Sequence, residues 1–173
     1  AMSDPFVVVG GDAAGLSAAS KLARENPDRE TVVFERGRWV SYAHCGEPYF
    51  VKGEVETLDD LLSLSPSDVA DRGIELRREH EVVSVDTDAR TVAVEGPDGR
   101  FERPYGDLLV ATGASARTEP IAGASLDCAF TMHGLDSAAA VRALLTPPAA
   151  FDLASFGGEA FVDAERVERY GAT

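Results

Sequence analysis

The run Phe6-Val7-Val8-Val9 passes straight into Gly10-Gly11, and Thr31-Val32-Val33-Phe34 later repeats the same β-branched chemistry. Short apolar runs without polar alternation read as strands covered on both faces. Between them, Ala13 to Arg24 is rich in Ala, Leu, Lys and Arg, which favour helix, and it stops near Asn26-Pro27. Strand, glycine turn, helix and strand within about 30 residues make a βαβ unit, whose crossover is expected to be right-handed. The pattern predicts an α/β protein built on a central parallel sheet.

The turn itself reads Gly10-Gly11-Asp12-Ala13-Ala14-Gly15. Glycines at this place let the backbone turn sharply and approach a pyrophosphate lying at a helix N-terminus. Gly10 and Gly15 fit the dinucleotide pattern G-x-G-x-x-G, and Asp12 stands where the middle glycine belongs. A carboxylate beside a diphosphate is unfavourable unless it points away. Glu35 follows the second strand, 20 residues after Gly15, where an acidic side chain accepts hydrogen bonds from a ribose. A solvated charge at a strand end is the plain alternative for Glu35, but strand, turn, helix and acid together favour nucleotide binding.

Further on, Ser65-Pro66-Ser67-Asp68 supplies a cap and an early proline for a short helix through Asp71-Arg72, stopped by Gly73. Ile74 to Val85 has strand character, clearest over Glu81 to Val85. Thr91 to Val94 and Arg100 to Arg103 flank Gly96-Pro97-Asp98-Gly99, a hairpin signal. Asp107 to Gly113 reads as another buried strand, and Leu135 to Leu145 as a helix ended by Pro147-Pro148. The remainder is irregular, with a helix-prone piece from Asp163 to Tyr170. Residues 1–145 are therefore expected to form a partial nucleotide-binding domain, and 146–173 an irregular segment.

Composition excludes several classes. A net charge of −14 opposes nucleic-acid binding, which needs a basic surface. Only Lys21 and Lys52 among the 16 basic residues are lysines, and heavy Asp/Glu use beside so few lysines fits a protein that works in concentrated salt. No apolar run approaches the roughly 18 residues a membrane span needs, and the first residues lack a basic segment, so a cytoplasmic protein is expected. Two cysteines, Cys45 and Cys128, make no disulfide framework, and the three histidines are not at zinc-finger spacing; no metal site is expected.

Cys45 lies in Ser41-Tyr42-Ala43-His44-Cys45-Gly46-Glu47-Pro48-Tyr49. A lone cysteine is often a small buried apolar residue. The other reading is a redox thiol at a helix start, where the dipole favours the anion that attacks disulfides. Cys128 has no motif around it and reads as packing; His80 and His133 read as structural.

Taken in order, VVVGGDAAGLSAAS, VVFERG, SYAHCGEPY and DLLVATGA resemble the amino-terminal part of the single-cysteine flavin enzymes related to coenzyme A-disulfide reductase and NADH oxidase, among the pyridine nucleotide-disulfide oxidoreductases. The similarity covers about Phe6 to Leu145, and S-Y-x-x-C-G-x-P-Y is its most specific part. The resemblance implies a Rossmann-like FAD/NAD(P)-binding fold, with FAD as cofactor and NAD(P)H as its reductant. Gly10 to Gly15 and Glu35 would hold the diphosphate and adenosine ribose, Arg36 and the Val82 backbone would meet the adenine, and Ala111, Thr112 and Gly113 would close over the nucleotide. Cys45 would be the redox-active cysteine, and the partner a small-molecule disulfide, oxygen or peroxide. Ser17, Lys21, Arg24, Ser41 and His44 occupy places that bind coenzyme A in such reductases, although Lys21 and Arg24 suit a solvent-facing helix surface equally well. Members usually carry asparagine where His44 stands. They continue into a second nucleotide domain and a dimerisation domain, so this chain is expected to be an amino-terminal portion of a homodimeric enzyme. The contrasting expectation is an inactive nucleotide-binding or self-associating module.

Overall fold

The computed structural model describes residues 4–118, 121–124, 126 and 129–145. Cys128 and the segment from 146 onward lie outside the described residues. Residues Ala1–Arg142 cluster as one compact unit.

Strand β1 (Phe6–Val9), helix α1 (Ala13–Glu25) and strand β2 (Thr31–Glu35) realise the βαβ expectation. A 3-10 turn over His44–Gly46 runs into the short helix α2 (Glu47–Lys52), and helix α3 (Pro66–Asp71) precedes strand β3 (Ile74–Arg78). Strands β4 (Glu81–Asp86), β5 (Thr91–Gly96) and β6 (Gly99–Pro104) form an antiparallel sheet in that order. Strand β7 (Asp107–Val110) returns to the first sheet, whose order is β3-β2-β1-β7 with every pairing parallel. Helix α4 spans Leu135–Leu145.

Alternation along β1 and β2 divides the core. Val8 and Val33 face α1 and pack with Leu16, Ala19, Val69 and Ile74. Val7, Val32 and Phe34 point the other way, onto Val92, Val94 and Tyr105 below the antiparallel sheet. Both faces of β1 and β2 are thus covered, which is why these two strands read as continuous apolar runs, whereas β7, expected to be buried, is only partly so. Val7, Val8, Val32 and Val33 are all fully buried, and each such burial contributes about 1.5 kcal/mol or more.

Two boundaries differ from the sequence expectation. The strand character from Ile74 to Val85 divides between two strands: β3 belongs to the parallel sheet and β4 to the antiparallel one. The break falls at Glu79, whose φ of 58° is left-handed, while the Glu79 and His80 amides donate to the carbonyls of Gly37 and Glu35. The last strand stops at Val110, and Ala111 keeps one further bond to the Val9 carbonyl at 2.8 Å. Ala111 to Gly113 therefore leave the sheet at its carboxyl end, beside the glycine turn.

Candidate functional site

Parallel strands deliver their carboxyl ends to one side, where ligands of open α/β sheets bind. Here that side gathers Val9-Gly10 from β1, Glu35 from β2 and Ala111 after β7. Gly10 has a φ of 111°, and a Cβ placed on it would lie 2.2 Å from the Ala111 carbonyl oxygen. A Cβ on Gly15 would lie 1.9 Å from the Gly10 carbonyl oxygen, so α1 can approach the turn this closely only with glycine there. Gly11 completes the arrangement: its N–H donates to Glu35 Oε2 at 2.8 Å, while Glu35 Oε1 accepts from the Gly37 N–H at 2.7 Å.

A cleft opens along this edge, lined by Gly10, Gly11, Asp12, Glu35, Arg36 and Thr112 together with Ala111, Gly113 and His44. It continues into a smaller recess where Glu35, Arg36 and Thr112 meet Phe34, His80 and Val82. The residues expected to meet an extended nucleotide line one continuous edge, with turn and acid in one part and Arg36 and Val82 in the next. The two amide bonds from Gly11 and Gly37 hold the Glu35 carboxylate fixed beside the turn. Ala14 is exposed and Gly15 buried, and neither lines the cleft; Gly15 acts by letting α1 pack.

A third cleft lies beyond the glycine turn, against α1. Ala13, Ser17, Arg24 and Ser41 line it, and Asp12 and Tyr42 are shared with the first cleft. Ser20, Ser63 and Arg72 complete it, with Arg72 Nη1 donating to Ser20 Oγ at 2.9 Å. Three of the five expected coenzyme A contacts thus come together. Lys21 does not join them: it is exposed and sits 3.9 Å from Glu25 one helical turn on. His44 stands in the first cleft, tied to Asp12. Arg72 could not be singled out in the sequence, because only the packing of α3 beside α1 brings a guanidinium to this wall.

Cys45 is exposed in the 3-10 turn that leads into α2, so the buried-packing reading of this cysteine does not hold. Its neighbours are unusually rich in titratable groups. His44 Nε2 lies 2.6 Å from Asp12 Oδ2 and Nδ1 lies 3.3 Å from Glu47 Oε1. His133, expected to be structural, stacks on His44 with centroids 5.6 Å apart and lines the cleft. Burial and the carboxylates of Asp12, Glu47, Glu35 and Asp136 push the Tyr42 hydroxyl up to about 12. Among the described residues no cluster of His, Cys, Asp and Glu is arranged to hold a metal ion, and no helix is long and apolar enough to cross a membrane.

Comparison with known proteins bears on the same residues. Residues 4–167 match the pyridine nucleotide-disulphide oxidoreductase family. The chain is 36% identical over 172 residues to an NAD(P)H coenzyme A polysulfide/persulfide reductase of Pyrococcus horikoshii, covering 99% of this chain and 38% of that protein. It is 31% identical to a coenzyme A disulfide reductase of Staphylococcus haemolyticus, over 79% of this chain and 31% of the other. Among solved structures, an NAD-dependent persulfide reductase from A. fulgidus superposes with a TM-score of 0.78 at 31% identity, covering 82% of this chain and 27% of that one. The chain thus spans about a third of the length of the relatives it matches. Proteins of the matched family are FAD-dependent enzymes that take NAD(P)H. The matched span contains the whole βαβ unit, all three clefts and the cysteine turn, and the chain belongs to the pyridine nucleotide-disulphide oxidoreductase family.

Proposed function

We propose that the chain is the amino-terminal part, with residues 1–145 as a partial FAD-binding domain, of an FAD-dependent NAD(P)H:disulfide oxidoreductase of the coenzyme A-disulfide reductase or NADH oxidase type. The observation that carries this reading is the pair of clefts meeting at Asp12 and Tyr42, with the exposed Cys45 next to His44 of that same wall. One cleft has the clearances and the carboxylate of an FAD site. The other offers Arg24 and Arg72 to phosphates and Ser17, Ser41 and Ser63 to polar groups, which suits a phosphorylated thiol carrier such as coenzyme A.

The chemistry assigned to the chain is thiol-disulfide exchange. The Cys45 thiolate attacks one sulfur of a substrate disulfide, forming a mixed disulfide and releasing the first thiolate. FAD, held by the glycine turn and Glu35, would supply an electron pair taken from NAD(P)H; with one proton from solvent this returns Cys45 as the thiolate and releases the second thiol. With peroxide as acceptor, the Cys45 thiolate attacks one peroxide oxygen, the O–O bond breaks, hydroxide leaves, and Cys45 becomes a sulfenic acid. Glu35 orients the ribose, and the glycine turn admits the diphosphate. The family relation and the charge pattern support a cytoplasmic homodimer adapted to high salt as the setting of the complete enzyme.

A second reading is an inactive nucleotide-binding or self-associating module. It is favoured by Val110, 60% exposed on β7 at the end of the parallel sheet. Visible absorption of the purified chain with FAD in high salt, beside Cys45→Ser, separates the two. Bound flavin with a long-wavelength shoulder that vanishes in the variant is the expected result. A colourless, stable oligomer would favour the second reading.

A further inference from the structure

Asp12 stands where the dinucleotide pattern asks for glycine, and it is also the N-cap of α1. An aspartate at an N-cap ordinarily turns its side chain onto the amides of the first helical turn. Asp12 makes no such bond. Its Oδ2 lies against His44 Nε2 at 2.6 Å instead. The other ring nitrogen of His44 faces Glu47 Oε1 at 3.3 Å. Carboxylates only accept, so the ring bonds both partners when both nitrogens carry hydrogen. Glu47 is itself anchored: its side chain is 3% exposed and accepts from the Gly134 N–H at 3.1 Å. The rings of Tyr42 and His133 pack on His44 at centroid distances of 4.3 and 5.6 Å. A clamped imidazole therefore draws the Asp12 carboxylate off the end of the helix.

We propose that His44 is a positioning residue for the cofactor: it holds the Asp12 carboxylate away from the N-terminus of α1 and so leaves the positive end of that helix, behind Asp12 on the cleft wall, unneutralised towards the FAD diphosphate. This rests on the FAD reading above. Without the imidazole, the carboxylate rotates onto the Ala14 and Gly15 amides, as an N-cap aspartate ordinarily does, and cancels the positive end of the helix that would favour the anion. Asp12 and His44 then act as one unit, in which removing the acid makes the histidine unnecessary.

The test is a cycle of four proteins, the chain itself, Asp12→Gly, His44→Asn and the double variant. FAD affinity is read by flavin fluorescence, and the Ala14 and Gly15 amides by nitrogen-15 NMR without ligand. His44→Asn is expected to weaken FAD binding about tenfold and to move both amide resonances. In the Asp12→Gly background the same substitution changes neither, and both of those proteins bind FAD at least as tightly as the parent. Undiminished affinity in His44→Asn, or an equal loss in the double variant, overturns the proposal. If none of the four binds FAD, the FAD reading fails for this chain, and the amides decide the positioning role on their own: resonances that stay put in His44→Asn overturn it.

Discussion

The Tyr42 hydroxyl sits within the field of four carboxylates, those of Asp12, Glu47, Glu35 and Asp136, and its titration reads out that arrangement. Burial is the largest cause of its shift, followed by Asp12, and both penalise the phenolate, so Tyr42 ionises only near about 12 in place of the usual 10.0. The folded state keeps a proton that the unfolded chain has lost between these values. The resulting stability is fully present below pH 10 and is lost as pH rises towards 12. A spectrophotometric titration of tyrosinate should show one late-titrating group that disappears in Tyr42→Phe; ionisation of every tyrosine near the usual value would contradict the arrangement. At this scale the sequence was legible where backbone demanded glycine, as at Gly10 and Gly15, and where a strand end needed an acid, as at Glu35. It marked Asp12 as out of pattern but not where its carboxylate points, because that depends on a partner 32 residues away.

Among the elements, α3 shows how much a short helix owes to its ends. It has only six residues, and Ser65 closes a capping box in which its hydroxyl accepts from the Asp68 N–H while the Asp68 carboxylate accepts from the Ser65 N–H. Ser65→Ala should cost about 1 kcal/mol in denaturant-induced unfolding. The side-chain bond from Ser65 is the main cause that holds the Asp68 carboxyl below its ordinary range, with the backbone bond next. A lowered acid contributes stability that is present above its ordinary value and fades as pH falls through the depressed one, so the variant should also show a shallower acid limb; an unchanged limb would count against the cap. This helix was readable from Ser-Pro-Ser-Asp because capping is local chemistry. The division of Ile74 to Val85 into β3 and β4 was not, since Glu79 takes its left-handed conformation from an amide bond to Gly37, far off in sequence. Arg72 escaped notice for the same reason, its position on the third cleft being set by how α3 lies against α1 and by its bond to Ser20.

For the molecule as a whole, the net charge of −14 on 173 residues sets a self-repulsion that salt relieves. The melting temperature should rise steadily between dilute and molar sodium chloride, and a flat or falling profile would remove the reason to read the composition as an adaptation to salt. The α/β class and the parallel sheet were legible because buried parallel strands announce themselves as apolar runs bounded by glycine, and the antiparallel sheet showed itself through its hairpin turn. The cleft against α1 was reached only through resemblance. That cleft and the one at the carboxyl edge of the parallel sheet share a partition, Asp12 and Tyr42, each of which shows a surface to both sides. An occupant that shifts either side chain changes the wall its neighbour binds against. Thermodynamic linkage makes such influence mutual: whatever factor an occupant of one cleft applies to the affinity of the other cleft's occupant, the second returns to the first. The partition between the clefts is thus the place where the loading of one becomes information for the other.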